Sequence, residues 1–127
     1  ISGVATDVLN PSSTLPTGEW DAILMSQFLD CFSEEEIYAI LCKAAQVMTP
    51  HTTLYVMETF WDRQKYEPAA LCLTMTSVYF TVMANGNSKM YHSADMTRQI
   101  ERAGLHVEAA HDGIGQGHTI LEIKKNK

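Results

Sequence analysis

A continuous strand, helix and strand unit between Trp20 and Phe60 constrains the fold of this chain most strongly. Trp20 to Ser26 contains three consecutive apolar residues, a pattern typical of a strand buried on both faces of a parallel sheet. Thr53 to Phe60 is rich in β-branched and aromatic residues and predicts a second strand. Because consecutive parallel strands need a crossover connection, the segment between them completes a βαβ unit.

The crossover carries clear start and stop signals for a helix. Ser33 is followed three residues later by Glu36, the spacing of a capping box, and two more glutamates place negative charge at the helix N-terminus. Thr49-Pro50 ends the helix, because proline lacks the N–H that the next turn needs. The apolar residues recur at helical spacing and predict one buried face: Ile37, Ile40, Leu41, Ala44 and Met48.

Each predicted strand of this unit leads to a carboxylate. Asp30 stands just past the first strand and Glu58 ends the second. Ligands of open α/β sheets bind outside the carboxyl ends of the strands, so these two acids are candidates for catalysis. The alternative is structural: Asp30 is a loop residue beside a capped helix, and Glu58 pairs with Arg63 or Lys65.

The rest of the chain predicts a mixed sheet. Residues 1–6 are predicted as a short strand, followed by a turn-rich loop. Ser93 is predicted to cap a helix that ends before Gly104. Residues 105–110 and 119–124 predict two strands, and the glycine-rich segment between them predicts a hairpin.

An uncharged helix is predicted from Pro68 to Ala84. It has little polar face, so we expect it to be buried nearly all round, either as core or as the wall of an apolar substrate pocket. Met75 and Met83 are adaptable packing groups for either role. Several threonines, serines and asparagines interrupt the segment, which favours a buried helix of a globular protein over a membrane span.

Composition sets further limits. The 127 residues, 46% apolar, are predicted to form a single α/β domain, residues 1–127. The formal net charge of −6, without a polybasic segment, argues against nucleic acid and membrane surfaces as partners. Three cysteines without metal-site spacing predict reduced thiols in a cytoplasmic protein. The histidines also lack metal-ligand spacing, so no metal site is expected.

The chain begins with Ile rather than Met, directly in an apolar segment. We therefore expect it to be an internal piece of a longer protein.

Several short motifs, in this order, resemble those of small-molecule O-methyltransferases of the caffeate and isoflavone type, found in plants and bacteria. They are Thr6-Asp7-Val8-Leu9, Asp30-Cys31-Phe32-Ser33-Glu34-Glu35, the strand-end Glu58, the segment from Gly86 to His92, and Ala103-Gly104-Leu105. Each motif is weak, but their order and spacing agree over essentially the whole chain. The resemblance implies the C-terminal half of a Rossmann-like class I methyltransferase sheet, with a parallel βαβ unit and a C-terminal antiparallel hairpin.

The resemblance also implies S-adenosyl-L-methionine as cofactor. Asp7 is expected beside the adenine, with Val8 next to it in the same motif, and Ser26 falls where the family often has a cofactor-contacting lysine. The Gly-rich loop of the family's first half is absent from this sequence. The chain is therefore expected to be a partial catalytic domain that is inactive by itself.

Catalysis in this family uses a histidine base that a strand-end glutamate, and often a second glutamate, orient. Here Asp30 occupies the histidine position, Glu58 keeps the first acid, and Met90 replaces the second. Asp30 is a weak base unless burial or a neighbouring carboxylate raises its pKa, and Glu58 is such a neighbour. The pocket for a small apolar or aromatic acceptor is expected to include Met75, Tyr79, Met83, Met90 and His92.

Two other functions stay open at this point. The departures at Asp30 and Met90 fit a degenerate methyltransferase that serves as a binding or regulatory module. The uncharged helix fits an assembly domain in which that helix is the interface of a homodimer.

Overall fold

The computed structural model describes residues 2–126, which form a four-stranded mixed sheet with two helices on one face. Strands β1 and β2 are parallel, and β4 is antiparallel to both β2 and β3. The spatial order is β1-β2-β4-β3, so β4 is inserted between β2 and the edge strand β3. The strands and helices are β1 Ala22–Ser26, α1 Glu34–Val47, β2 Thr53–Glu58, α2 Glu67–Met83, α3 Ser93–Arg102, β3 Leu105–Ile114 and β4 His118–Lys125.

The predicted βαβ unit is confirmed. Ser33 caps α1: its hydroxyl accepts the N–H of Glu36, whose carboxylate accepts the N–H of Ser33 in return. Such a cap contributes about 1 kcal/mol to helix stability. Gly104 follows the C-cap of α3 with a φ of 75°, a conformation that glycine adopts without strain.

One hydrophobic core lies between the sheet and helices α1 and α3. Alternate residues of the two central strands face it, so each strand contributes every second side chain. The buried residues include Ile37, Ile40 and Leu41 of α1, Leu54 and Val56 of β2, Met96 and Ile100 of α3, and Leu121 and Ile123 of β4.

The opposite face of the sheet is only partly covered, contrary to the prediction for β1. Leu24 is 67% exposed, and its cross-strand neighbour Tyr55 is partly exposed. The apolar run correctly predicted a strand, but burial also needs a second layer. Residues 2–126 supply none over Leu24.

Three further predictions from sequence are wrong in detail. Residues 2–6 form no strand, and Ile1 lies outside the described residues. Helix α2 is exposed rather than buried, because only one side of it contacts the rest of the chain. His92, not Ser93, caps α3: its Nδ1 accepts the N–H of Ala94 at 3.0 Å, and Ser93 is the first helical residue.

Candidate active site

The structure places both predicted acids at the same end of the sheet. Because β1 and β2 are parallel, their carboxyl ends lie side by side. Glu58 is the last residue of β2, and Asp30 lies in a 3-10 helix, Leu29–Cys31, that follows β1. The N–H of Gln27 donates to the carbonyl of Met57 at 2.8 Å, which extends the pairing beyond β1.

The carboxyl group of Glu58 anchors the segment that carries Asp30. Its Oε1 accepts the backbone N–H groups of Phe28 at 2.9 Å and Leu29 at 2.8 Å. The residue is 2% exposed, and its second oxygen, Oε2, is buried without a hydrogen-bond partner among residues 2–126. Buried polar atoms are nearly always paired, so this oxygen marks a place where a donor is missing.

Burial and the neighbouring charge of Asp30 raise the pKa of Glu58 to about 7, against the backbone N–H groups of Phe28, Leu29 and Asp30, which favour the carboxylate. Burial also raises the pKa of Asp30, against a hydrogen bond from the Cys31 thiol. These shifts move both acids toward the range in which a side chain exchanges protons near neutral pH.

The ion pair that would have given Glu58 a structural role is not formed. Arg63 instead binds Asp112, with distances of 2.6 Å from Nε to Oδ1 and 2.8 Å from Nη2 to Oδ2. Within residues 2–126, neither Asp30 nor Glu58 has an ion-pair partner. The alternative in which Arg63 or Lys65 neutralises Glu58 is therefore wrong.

The turn that follows α2, residues 84–92, forms hydrogen bonds to the backbone around Asp30. The N–H of Lys89 donates to the carbonyl of Asp30 at 3.0 Å, and the side chain of Asn85 donates to the carbonyl of Cys31 at 3.2 Å. The hydroxyl of Tyr91 donates to the carbonyl of Phe32 at 2.6 Å. The asparagine and glycine residues of the turn were visible in the sequence, but their contact with Asp30 was not.

Met90 lies close to the acids. Its Sδ accepts the hydroxyl of Thr59, the residue after Glu58, at 3.1 Å, and its N–H donates to Ser77 of α2 at 2.9 Å. His92 packs against Trp61 instead: the two rings meet edge-on, with 4.9 Å between their centroids. Capping α3 occupies its Nδ1, whereas its Nε2 makes no hydrogen bond within residues 2–126.

The other predicted pocket residues are the α2 side chains Met75, Tyr79 and Met83. All three are more than half exposed. The inward side of α2 carries Ser77, which holds Met90, and the partly buried Phe80. The assignment of Met75, Tyr79 and Met83 to a substrate pocket stays a prediction.

The predicted cofactor residues lie at two places. Ser26 is exposed at the end of β1, whereas Asp7 and Val8 belong to the loop before β1. Asp7 is exposed, and its Oδ1 accepts the N–H of Leu9 at 3.1 Å, while Val8 packs against the core. Their roles toward a cofactor stay predictions.

Lys43 of α1 holds the loop before β1 in place by hydrogen bonds. The sequence did not indicate this contact. The lysine is 9% exposed, and its Nζ donates to the carbonyls of Val8 at 2.9 Å and Asn10 at 2.5 Å and to the hydroxyl of Ser13 at 2.7 Å. Three oxygen acceptors satisfy all three N–H groups of the ammonium. A lysine in an amphipathic helix is normally read as solvent-facing, so periodicity gave no signal for this contact.

Gln27 and Cys31 are two further residues near the acids that sequence reasoning missed. Gln27 has a φ of 46°, the single positive value among the described non-glycine residues, and its side chain contacts His118. Such strain costs about 1 kcal/mol or more and concentrates at functional sites. Cys31 is exposed overall, but partial desolvation of its thiol and the charge of Asp30 raise the pKa of that thiol, so it is a poor nucleophile at neutral pH.

Residues 2–126 contain no cluster of three or more His, Cys, Asp or Glu side chains that could hold a metal ion. In the same part of the chain, no helix is long and apolar enough to cross a membrane.

No protein-family model and no curated protein sequence matches this chain. Solved structures do match it. The mitomycin 7-O-methyltransferase MmcR shares 21% identity, with a TM-score of 0.75 over 94% of this chain and 32% of its own. LaPhzM has 17% identity and a TM-score of 0.77, over 96% of this chain and 34% of its own.

For two other matched structures, a bound ligand or the type of reaction is known. NcsB1, an O-methyltransferase from neocarzinostatin biosynthesis, was solved with S-adenosyl-L-homocysteine and 1,4-dihydroxy-2-naphthoic acid; it shares 21% identity, with a TM-score of 0.73 over 91% of this chain and 32% of its own. A chain described as a pericyclic reaction enzyme shares 14% identity, with a TM-score of 0.75 over 92% of this chain and 29% of its own.

The chain thus spans about a third of the length of the structures it matches. At these identities the likeness establishes the fold. The predicted α/β architecture, a parallel βαβ unit closed by a C-terminal antiparallel hairpin, is confirmed, and it is the fold that these methyltransferase structures share.

Proposed function

We propose that these residues belong to an S-adenosylmethionine-dependent methyltransferase that acts on a small apolar or aromatic molecule. The observation that carries the proposal is the carboxyl pair of Asp30 and Glu58, held at the carboxyl ends of two parallel strands. The shared fold supports it, because the matched structures include several O-methyltransferases. Fold alone does not fix a reaction, as the pericyclic enzyme of the same fold illustrates.

The residues present fit the proposed cofactor. Asp7 offers an exposed carboxylate, which suits the amino group of an adenine, and Ser26 ends β1 with a small side chain. The acids Asp30 and Glu58 have no ion-pair partner within residues 2–126, so they suit the neighbourhood of a positively charged sulfonium. When bound, the cofactor supplies an electrophilic methyl group.

In the proposed reaction, the chain's own residues position the acceptor and accept its proton. Asp30 serves as base, with a pKa raised by burial, and Glu58 holds the backbone of Phe28 and Leu29 so that the Asp30 segment stays in place. The contacts from Asn85, Lys89 and Tyr91 restrict the same segment. Such restraint favours methyl transfer, which depends mainly on alignment of the reacting groups.

We also propose that this chain is only part of the catalytic domain. It covers about a third of each matched structure, and the Gly-rich cofactor loop expected from the resemblance is not among its residues. The 127-residue chain by itself is therefore expected to be inactive and to bind no cofactor.

Calorimetric titration of S-adenosylhomocysteine into the full-length protein that carries these residues tests the proposal. We expect micromolar binding, and Asp7→Asn is expected to weaken it about tenfold through loss of one charge-assisted hydrogen bond. Asp21→Asn, which removes an equally exposed carboxylate at the start of β1, serves as the matched control and should leave the affinity unchanged.

Absence of binding by a well-folded full-length protein would contradict the cofactor assignment. The better account would then be a degenerate methyltransferase acting as a binding or regulatory module. If Asp7→Asn and Asp21→Asn have equal effects on the affinity, the role of Asp7 is contradicted, but the cofactor assignment is not.

A second candidate function is assembly with another copy of the chain. Leu71, Met75, Val78 and Val82 form an apolar seam on the outward side of α2, and they are 53% to 73% exposed. Their spacing of four, three and four residues is that of the seam of a two-stranded coiled coil. No charged residue occurs between Pro68 and Ser88, so two identical seams can meet without repulsion.

Light scattering of the full-length protein tests this assembly. We expect a dimer that Val78→Glu together with Val82→Glu converts to a monomer, because the paired helices would bury two carboxylates per chain. Thr74→Glu, an exposed change beside the seam, is the control and should leave the dimer intact. A monomeric parent, or a dimer that survives the double change, rules out the α2 seam as its interface.

A further inference from the structure

Within residues 2–126, neither the buried Glu58 nor the partly buried Asp30 has the cationic partner that usually accompanies a desolvated carboxylate. The turn after α2 carries one basic side chain close to these acids in the fold, Lys89, whose backbone N–H donates to the carbonyl of Asp30. Its ammonium instead lies 3.6 Å from Glu34 and over the ring of Tyr91. Glu58 Oε2 has no donor within residues 2–126, although its side chain is almost completely buried. Because an unpaired buried carboxyl oxygen is costly, the site is complementary to a ligand that brings N–H donors and positive charge.

We propose that the acceptor of this site presents a basic nitrogen, a primary or secondary amine, to Asp30 and Glu58. The inference rests on the proposed methyltransferase function and narrows its substrate class. A protonated amine carries two or three N–H groups, so one can bond to each carboxyl. A hydroxyl carries a single hydrogen and leaves one of the two acids without a donor.

The direction in which charge develops also favours nitrogen. Methylation of a neutral amine creates a positive charge on the nitrogen, which the neighbouring carboxylate of Glu58 stabilises while Asp30 holds the transferred proton. A hydroxyl must instead lose its proton and become an oxyanion-like nucleophile, which the same acids destabilise.

The proposed step balances in charge and atoms. The acceptor binds as an ammonium ion, and one proton passes to the carboxylate of Asp30, which becomes neutral. The nitrogen lone pair then forms the N–C bond to the methyl group, while the S–C bond breaks and its electron pair stays on sulfur. The product is an N-methylammonium ion and a neutral thioether, and Asp30 later releases its proton to water.

Matched probes allow a binding test that does not depend on turnover. Benzylamine, benzyl alcohol and benzyltrimethylammonium are titrated separately into the full-length protein saturated with S-adenosylhomocysteine. We expect benzylamine to bind at least about tenfold more tightly than benzyl alcohol, a difference of ~1.4 kcal/mol. Benzyltrimethylammonium has the charge but no N–H group, so it is expected to bind more weakly than benzylamine.

Two variants test whether Asp30 and Glu58 cause the preference for benzylamine over benzyl alcohol. Asp30→Asn and Glu58→Gln keep the shape of each side chain, and each is expected to remove most of the preference for benzylamine. Asp21→Asn removes a carboxylate at the opposite end of β1 and should keep the preference. The affinity for S-adenosylhomocysteine, measured in every variant, shows that the variant is folded.

The outcomes separate this inference from the proposed function. If S-adenosylhomocysteine binds but benzylamine shows no advantage, or fails to bind at millimolar concentration, the amine acceptor is wrong while the methyltransferase function stands. An advantage that persists in both Asp30→Asn and Glu58→Gln also overturns it. If S-adenosylhomocysteine itself does not bind the parent protein, the proposed function fails first.

Discussion

Replacing Glu58 by glutamine is expected to stabilise the protein at pH 8 much more than at pH 5. The pKa of Glu58 is about 7 in the folded chain, whereas an unfolded glutamate titrates near 4.3. Between these values the folded state binds more protons than the unfolded state, so stability falls as pH rises through this window. Glutamine is neutral throughout, and its carbonyl oxygen can still accept the N–H groups of Phe28 and Leu29.

The free-energy difference between Glu58→Gln and the parent should widen by about 2–3 kcal/mol from pH 5 to pH 8. Urea denaturation of the full-length protein at both pH values measures it. Glu108→Gln removes an exposed carboxylate of β3 and serves as the control, with no comparable widening expected. A constant or narrowing difference for Glu58→Gln would show that Glu58 is ionised without penalty in the folded protein.

Replacing Asp30 by asparagine is expected to lower kcat/KM for methyl transfer by about 10²–10⁴, the usual contribution of a general base. Asparagine preserves the size of the side chain but cannot accept a proton. The rate of S-adenosylhomocysteine release, measured with an amine that binds in the probe experiment, reports the effect. The affinity for S-adenosylhomocysteine should change little, because this thioether carries no sulfonium charge and its proposed contacts involve Asp7 and Ser26.

Asp21→Asn provides the matched control for the loss of one negative charge. A kcat/KM for Asp30→Asn within a few-fold of the parent would assign Asp30 to a structural role in the loop. A loss confined to KM would instead assign it to acceptor binding without proton transfer.

The sequence predicted the central unit of the fold because its signals are local. The capping box at Ser33, the stop at Pro50 and the periodicity between them require only neighbouring residues to form a helix. Two consecutive apolar strands joined by such a helix are typical of a parallel pair, so Asp30 and Glu58 were placed correctly at one end of the sheet. Local signals are weaker where two residues compete, as His92 and Ser93 do for the cap of α3.

Burial is where reasoning from the sequence went wrong. The apolar character of α2 and of Leu24 shows which side chains gain by leaving water, but it does not show whether this chain supplies the surface to cover them. Both remain exposed, because residues 2–126 provide one helical layer for the sheet and one contact side for α2.

By itself, the sequence determined the strands and helices from β1 onward, their order and the two acids, since helix caps, strand patterns and parallel pairing follow from residues close in the chain. Only the tertiary structure decided the state of those acids. The raised pKa of Glu58, its unpaired Oε2 and the absence of a pairing cation within residues 2–126 depend on groups far apart in sequence, brought together around one carboxyl group. Desolvation and charge act through space, and no pattern of neighbouring residues encodes them directly.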